Sequence, residues 1–179
     1  MIKTMTRLEE LILFILDTAH KMGKENLSRL QIHKMIYMIQ VLAIKYTGKE
    51  FIQGLNFIRE KHGPISPYIY DSLKILIDRY KYVGVDVSKN QDYGFPRHGH
   101  KLIKNIPKLN FTDGEIIFLN SIISDLVPLT QKALKDMTYS TEPMKHILNR
   151  EKRSGEMKGS QINLSLVMVD PDVVNCYSE

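Results

Sequence analysis

A mostly helical α+β domain that resembles a winged helix and carries a small β-hairpin is the fold class this sequence predicts. Three observations predict it. Helix-start signatures precede apolar runs of helical spacing, two alternating runs flank a turn-rich loop, and helical patterns stand on both sides of that hairpin.

Thr6 with Glu9 forms a capping-box pattern, and Leu8, Leu11, Ile12, Ile15 and Ala19 follow at helical spacing until Gly23, which predicts a first helix over 7–22. Ser28 with Gln31 repeats the pattern, and Ile32, Met35, Ile36, Ile39, Ala43 and Tyr46 form one stripe ending at Gly48. Residues 51–60, with Leu55 and Phe57 on one alternating face, read as a short strand or extended segment running into Gly63-Pro64. Ser66 suits a helix cap and Pro67 the first helical position. Tyr70, Leu73, Ile77 and Tyr80 then recur every three to four residues, which predicts a helix over 67–80.

Val83, Val85 and Val87 alternate, and 99–106 again has strand character, so the two predict a hairpin with a basic tip. Thr112 with Glu115 opens a helix through Ile116, Leu119, Ile122, Ile123 and Leu126 that Pro128 ends. Residues 129–137 and 143–150 read as two shorter helices. The charged stretch 151–161 lacks apolar periodicity and reads as a linker or mobile loop, and Ile162, Leu164, Leu166 and Met168 alternate as one isolated strand. The expected organisation is a helical domain over 1–150 and a linker with a C-terminal strand or tail over 151–179. Whether that strand pairs within the chain or with a partner is open at this point.

Bulk composition narrows the function classes. With 179 residues, 43% hydrophobic and 25% charged, the chain is long and apolar enough to bury a core without disulfides or metals. The single cysteine, Cys176, builds no intramolecular disulfide, which fits a reducing compartment. The most apolar stretch, 8–19, is too short to span a bilayer and is broken by Glu9, Glu10 and Asp17. No secretory signal pattern follows Met1, so a cytoplasmic protein with no membrane partner is expected. Of the net charge of +5, most sits in 89–108, where Lys89, Arg97, Lys101, Lys104 and Lys108 face one anion, Asp92.

Catalytic and metal patterns do not emerge. His20, His33, His62, His98, His100 and His146 stand in no ligand spacing; His98 and His100 point the same way in a strand, but no neighbouring Asp, Glu or Cys completes a tetrahedral set. The chain carries no strand followed by GxGxxG, no Walker loop, no GxSxG elbow and no HExxH. No cofactor and no enzymatic activity are expected, and binding to another macromolecule is.

Two regions stand out for binding. Lys34 and Tyr37 lie beside the apolar stripe of the second helix, and His62-Gly63-Pro64 followed by Ser66-Pro67-Tyr68 makes a rigid turn that loses little entropy when a partner docks on it. A buried tyrosine ring, a solvated lysine and a strand-to-helix turn are the plainer readings of the same residues. Lys89, Arg97, Lys101 and Lys104, with Tyr93 and Phe95 among them, have the composition of a phosphate-holding wing, or of a solvated basic loop.

The run Leu30-Gln31-Ile32-His33-Lys34-Met35-Ile36-Tyr37, followed by Lys61-His62-Gly63-Pro64-Ile65-Ser66-Pro67-Tyr68-Ile69-Tyr70, resembles the Panacea (SocA-like) antitoxin domain, and is also similar to YwgA-like proteins. Tyr139-Ser140-Thr141-Glu142-Pro143-Met144 stands where Panacea domains often carry Thr-His and Pro-Trp. The resemblance covers about 28–149. It implies a helical antitoxin that binds and neutralises a cognate toxin protein, without enzymatic activity, and it carries over Lys34, Tyr37, Gly63, Pro64, Pro67 and Tyr70. The alternative is a winged-helix transcriptional regulator that binds DNA through the basic hairpin.

Overall fold

The computed structural model describes residues 4–89 and 96–171, and only the backbone of residues 89, 96 and 97. Tyr93, Phe95, Cys176 and the side chains of Lys89 and Arg97, all singled out from the sequence, lie outside the described residues. Along the chain run α1 (Arg7–Lys21), β1 (Leu27–Ser28), α2 (Arg29–Thr47), β2 (Ile58–Glu60), β3 (Gly63–Ile65), α3 (Pro67–Asp78), β4 (Val83–Lys89), β5 (Pro96–Leu102), α4 (Asp113–Leu126), α5 (Gln131–Tyr139), α6 (Glu142–Ser154) and a 3-10 turn, Leu164–Leu166. The fold is α+β and mostly α-helical, as the sequence predicts. The chain divides into two compact units, Met1–Ile32 with Tyr68–Leu129 and His33–Pro67 with Thr130–Glu179.

In the first unit the helix starts are built from local chemistry. Thr6 Oγ1 accepts from the Glu9 amide and the Glu9 carboxylate accepts from the Thr6 amide; Thr112 and Glu115 do the same at α4. Reciprocal capping satisfies two otherwise orphaned amides and fixes where each helix begins. Leu8, Leu11, Ile12 and Ile15 are buried on α1, which packs on α4 and β5, and Leu119, Ile122, Ile123 and Leu126 are buried on α4. Each such side chain contributes roughly 1.5–3 kcal/mol on burial. The sheet is antiparallel with strand order β1-β5-β4, Val85 opposite His100 and Leu27 opposite His100 on the other side. His100 is buried with Nδ1 3.3 Å from the Leu27 carbonyl, and burial holds it below the usual histidine value.

The second unit holds α2 from His33 onward, the β2–β3 hairpin, α5, α6 and the segment after it. Every residue from 31 to 41 is buried. The extended segment predicted over 51–60 survives only as β2. Gln40 is fully buried and its amide donates to and accepts from the backbone of Ile52, both at 2.8 Å, so the chain at 51–54 turns around a side chain and has no ladder to join.

Two further expectations are corrected. The charged residues 151–154, read as linker, continue α6, because Glu151 accepts from the Arg59 guanidinium at 3.1 Å and from the Met157 amide at 3.2 Å. The alternating segment after Gln161 is no strand: Leu164–Leu166 is a 3-10 turn capped by Asn163, whose side chain accepts from the Ser165 amide. Alternation there records burial of Ile162 and Leu164 only. The backbone just before it does pair within the chain: the Arg59 amide donates to Ser160, the Gly159 amide to Arg59, and the Ile162 amide to Phe57, at 2.7–2.8 Å.

Candidate functional site

The residues drawn from the sequence gather mainly in the second unit. α2 places Lys34 and Tyr37 one turn apart, on the face that meets the β2–β3 hairpin and the α5–α6 corner. Tyr37 is fully buried, its ring edge-on to Phe57 with centroids 5.2 Å apart. Its hydroxyl lies 2.7 Å from Thr141 Oγ1, which itself donates to the Thr138 carbonyl at 2.7 Å. With the threonine proton committed there, the Tyr37 hydroxyl is the donor of the pair. Burial pushes the Tyr37 phenol well above its usual value, so it stays neutral and structural.

The hairpin turns at Lys61 and His62, with Glu60 paired to Gly63 and Arg59 to Pro64. Gly63 has φ +114°, a conformation that side chains resist, and a Cβ there would meet Lys34 Cε at 3.4 Å, Tyr139 Cε1 at 3.5 Å and Thr138 Oγ1 at 3.7 Å. The glycine therefore lets the turn lie close over Lys34, and α5 supplies the opposite wall. The Tyr139 ring has the Lys135 ammonium 5.1 Å and the Arg59 guanidinium 5.5 Å from its centroid. Arg59 is paired with Glu151, and Lys158 with Glu60.

Lys34 is 2% exposed, which corrects the plainer reading of a solvated lysine. Among the described residues no carboxylate pairs with it, with Lys61 or with Lys135. Burial, with Lys135 nearby, pushes the Lys34 ammonium down to about 8. His62 is exposed at the turn, and its partial burial together with Lys61, Lys135 and Lys34 holds it below the usual histidine value. The Tyr139 hydroxyl is buried without a hydrogen-bond partner. The arrangement is a cluster of cations, Lys34, Lys61, His62 and Lys135, around the Gly63 turn and the Tyr139 ring.

The remaining sequence-named residues are placed elsewhere. Pro67 opens α3 and is exposed; Tyr70 belongs to the first unit, its ring 4.7 Å from the Arg29 guanidinium. Lys101 pairs with Asp86 at 2.8 Å, and Lys104 donates to the Tyr80 carbonyl at 2.8 Å while lying 4.0 Å from the centre of the Tyr82 ring. Sequence reasoning missed Lys135, Thr138 and Tyr139 as companions of Lys34, and Thr141 as the acceptor for Tyr37. Only the 139–144 echo pointed toward that corner. A cleft of about 420 Å³ in the second unit is lined by Glu50, Asn56, Gln161 and Asn163 among others, and by none of the binding-site residues proposed from the sequence. No group of three or more His, Cys, Asp or Glu that would hold a metal occurs among the described residues, and no helix there is long and apolar enough to cross a membrane.

Residues 32–143 match the family model described as antitoxin SocA-like, Panacea domain. That span contains both the Lys34–Tyr37 and the His62–Tyr70 segments. It does not show the similarity to YwgA-like proteins. No curated protein and no solved structure matches the chain. Matched over more than half its length, the chain belongs to the SocA-like antitoxin, Panacea domain family.

Proposed function

We propose that this chain is an antitoxin that binds and neutralises a cognate toxin protein in the cytoplasm, without turning over a substrate. The observation that carries the reading is the family match over 32–143. The geometry supports it in one respect: the part of the match from 33 to 67 holds most of α2 and the β2–β3 hairpin, beside a buried lysine that has no ion pair among the described residues, and a turn fixed by short strands loses little entropy on docking. The test is co-expression with the product of the adjacent gene. Relief of that product's toxicity and purification of a complex support the reading, and a harmless or unbound neighbour refutes it.

A second reading, a DNA-binding regulator, has one observation in its favour. Along the chain α1, β1, α2, α3, β4 and β5, with the β2–β3 hairpin inserted between α2 and α3 and the sheet order β1-β5-β4, follow the order of a winged helix. Charge weighs against it. The exposed positions of α3 include Tyr68, Asp71, Lys74 and Asp78, which give no positive face for a major groove, and Lys101 and Lys104 are engaged within the chain. Replacing Arg97, Lys101 and Lys104 by alanine weakens binding and flattens its salt dependence if these residues hold phosphates; duplex binding that is unchanged and insensitive to salt refutes it.

A further inference from the structure

We propose that the recess bounded by Lys34, Lys135, His62 and Tyr139 at the Gly63 turn is a carboxylate-docking site, which receives one aspartate or glutamate side chain of the partner protein. It rests on the antitoxin reading for the identity of that partner. The first support is Lys34 itself. A buried ammonium without a counter-charge destabilises a fold, and methionine would fill the same space at little loss of packing. This lysine is 2% exposed and has neither an ion pair nor a hydrogen bond among the described residues. Its charge does nothing for the free chain and gains its counter-ion only when an anion arrives.

The second support is the shape of the site. At Gly63 a hydrogen stands where any other residue would put a carbon against Lys34 Cε, Tyr139 Cε1 and Thr138 Oγ1. Lys34 Cε and Tyr139 Cε1 thus flank the same point at the turn, and Tyr139 Oη is buried without a hydrogen-bond partner among the described residues. A carboxylate has two oxygens in one plane and accepts from two such donors at once. Lys135 and His62 add positive potential from α5 and from the hairpin turn. Two acidic side chains of the same unit are committed elsewhere, Glu151 to Arg59 and Glu60 to Lys158.

Depth favours a side-chain carboxylate over a nucleic-acid backbone. Phosphodiester tracking requires a row of exposed cations, whereas here the central lysine is 2% exposed and the Arg59 guanidinium is already paired. Because the free ammonium is held at about 8, engagement by a carboxylate also draws in a proton at and above that pH.

Two arms test this with the full chain. In the first, wild type, Lys34→Met and Lys135→Met are each co-expressed with the adjacent gene product, and the complexes are compared by affinity. Truncating one partner of an enclosed charge pair weakens binding roughly 30-fold or more, so Lys34→Met is expected to lose the complex and Lys135→Met to weaken it less. Full neutralisation by Lys34→Met overturns the docking site while leaving the antitoxin reading intact; failure of wild type itself refutes the antitoxin reading, and the second arm then decides the recess. There, lysine labelled at 13Cε is titrated by NMR in sodium acetate, inorganic phosphate and sodium chloride at matched ionic strength. An upward shift of the Lys34 titration in acetate beyond that in chloride supports a carboxylate site. No shift, or one in phosphate alone, overturns it.

Discussion

The Tyr37 hydroxyl donates to Thr141 Oγ1 across 2.7 Å, joining residues 104 positions apart, and Thr141 passes its own proton to the Thr138 carbonyl. That chain of two bonds ties the middle of α2 to the α5–α6 corner. The corner needs it, because Thr141 stands at the N-cap of α6 yet makes no side-chain cap bond.

The direction of the proton is testable. Tyr37→Phe removes one donor and leaves Thr141 bonded to Thr138, so it is expected to destabilise by about 1 kcal/mol. Thr141→Val strands the buried phenol, while the Thr138 carbonyl keeps the Thr141 amide at 3.3 Å, and should cost about 1–3 kcal/mol. Urea denaturation of both variants decides between them, and a larger loss in Tyr37→Phe contradicts the assignment.

Gly63 and Gly114 make a contrast at two glycines. Gly63→Ala places a carbon at φ +114° against Lys34 and is expected to destabilise by about 1–3 kcal/mol. Gly114 lies in α4 with nothing within 4 Å of the added carbon, so Gly114→Ala should stabilise by a few tenths to about 1 kcal/mol. Thermal melts of the two variants are predicted to move in opposite directions.

Lys34 sets a pH signature. Its folded value is about 8 against the ordinary 10.5, so between those pH values the unfolded chain holds a proton that the folded chain has released. Stability from this group therefore rises as pH rises through that window, by on the order of 3 kcal/mol in full. Lys34→Met is expected to be more stable than wild type at pH 7, with the gap shrinking toward pH 10.5. Urea midpoints at pH 7, 9 and 10 measure it, and a gap independent of pH would show that the ammonium is not penalised in the fold.

Arg59 and Glu151 hold the end of α6. Both side chains are largely buried, at 12% and 17% exposure, and Glu151 also accepts from the Met157 amide. Glu151→Gln is expected to destabilise by roughly 1–3 kcal/mol and to speed amide exchange at Arg59 and Ile162, whose amides donate to Ser160 and Phe57 and so join the segment after α6 to the β2 region. Unchanged exchange at those two amides would show that the segment is held independently of the ion pair.

The legible part of the fold follows from range. Thr6–Glu9, Ser28–Gln31 and Thr112–Glu115 each close a bond over three residues, and all three helices begin where those pairs stand. The hairpin was equally plain from the alternation of Val83, Val85 and Val87, which is a property of the local sequence, although only Val83 is buried and Val85 and Val87 are exposed. The segment 51–57 misled because alternation is blind to Gln40, which captures the Ile52 backbone from a different element. In the site, the Lys34–Tyr37 and His62–Pro64 segments were visible as unusual local sequence, but not that Lys34 is buried, nor that Lys135 and Tyr139 stand beside it.

Sequence by itself determined the helix starts, the β4–β5 hairpin, the antitoxin-domain resemblance and the residue types available for binding, since these depend on neighbours a few positions apart. Tertiary structure alone decided that Lys34 is buried without a counter-charge among the described residues, that Tyr37 finds Thr141, and that Glu151 extends α6 through Arg59. The physical reason is that desolvation and pairing are properties of what surrounds a group in space, and in each of these cases the surrounding atoms come from segments far apart in the chain.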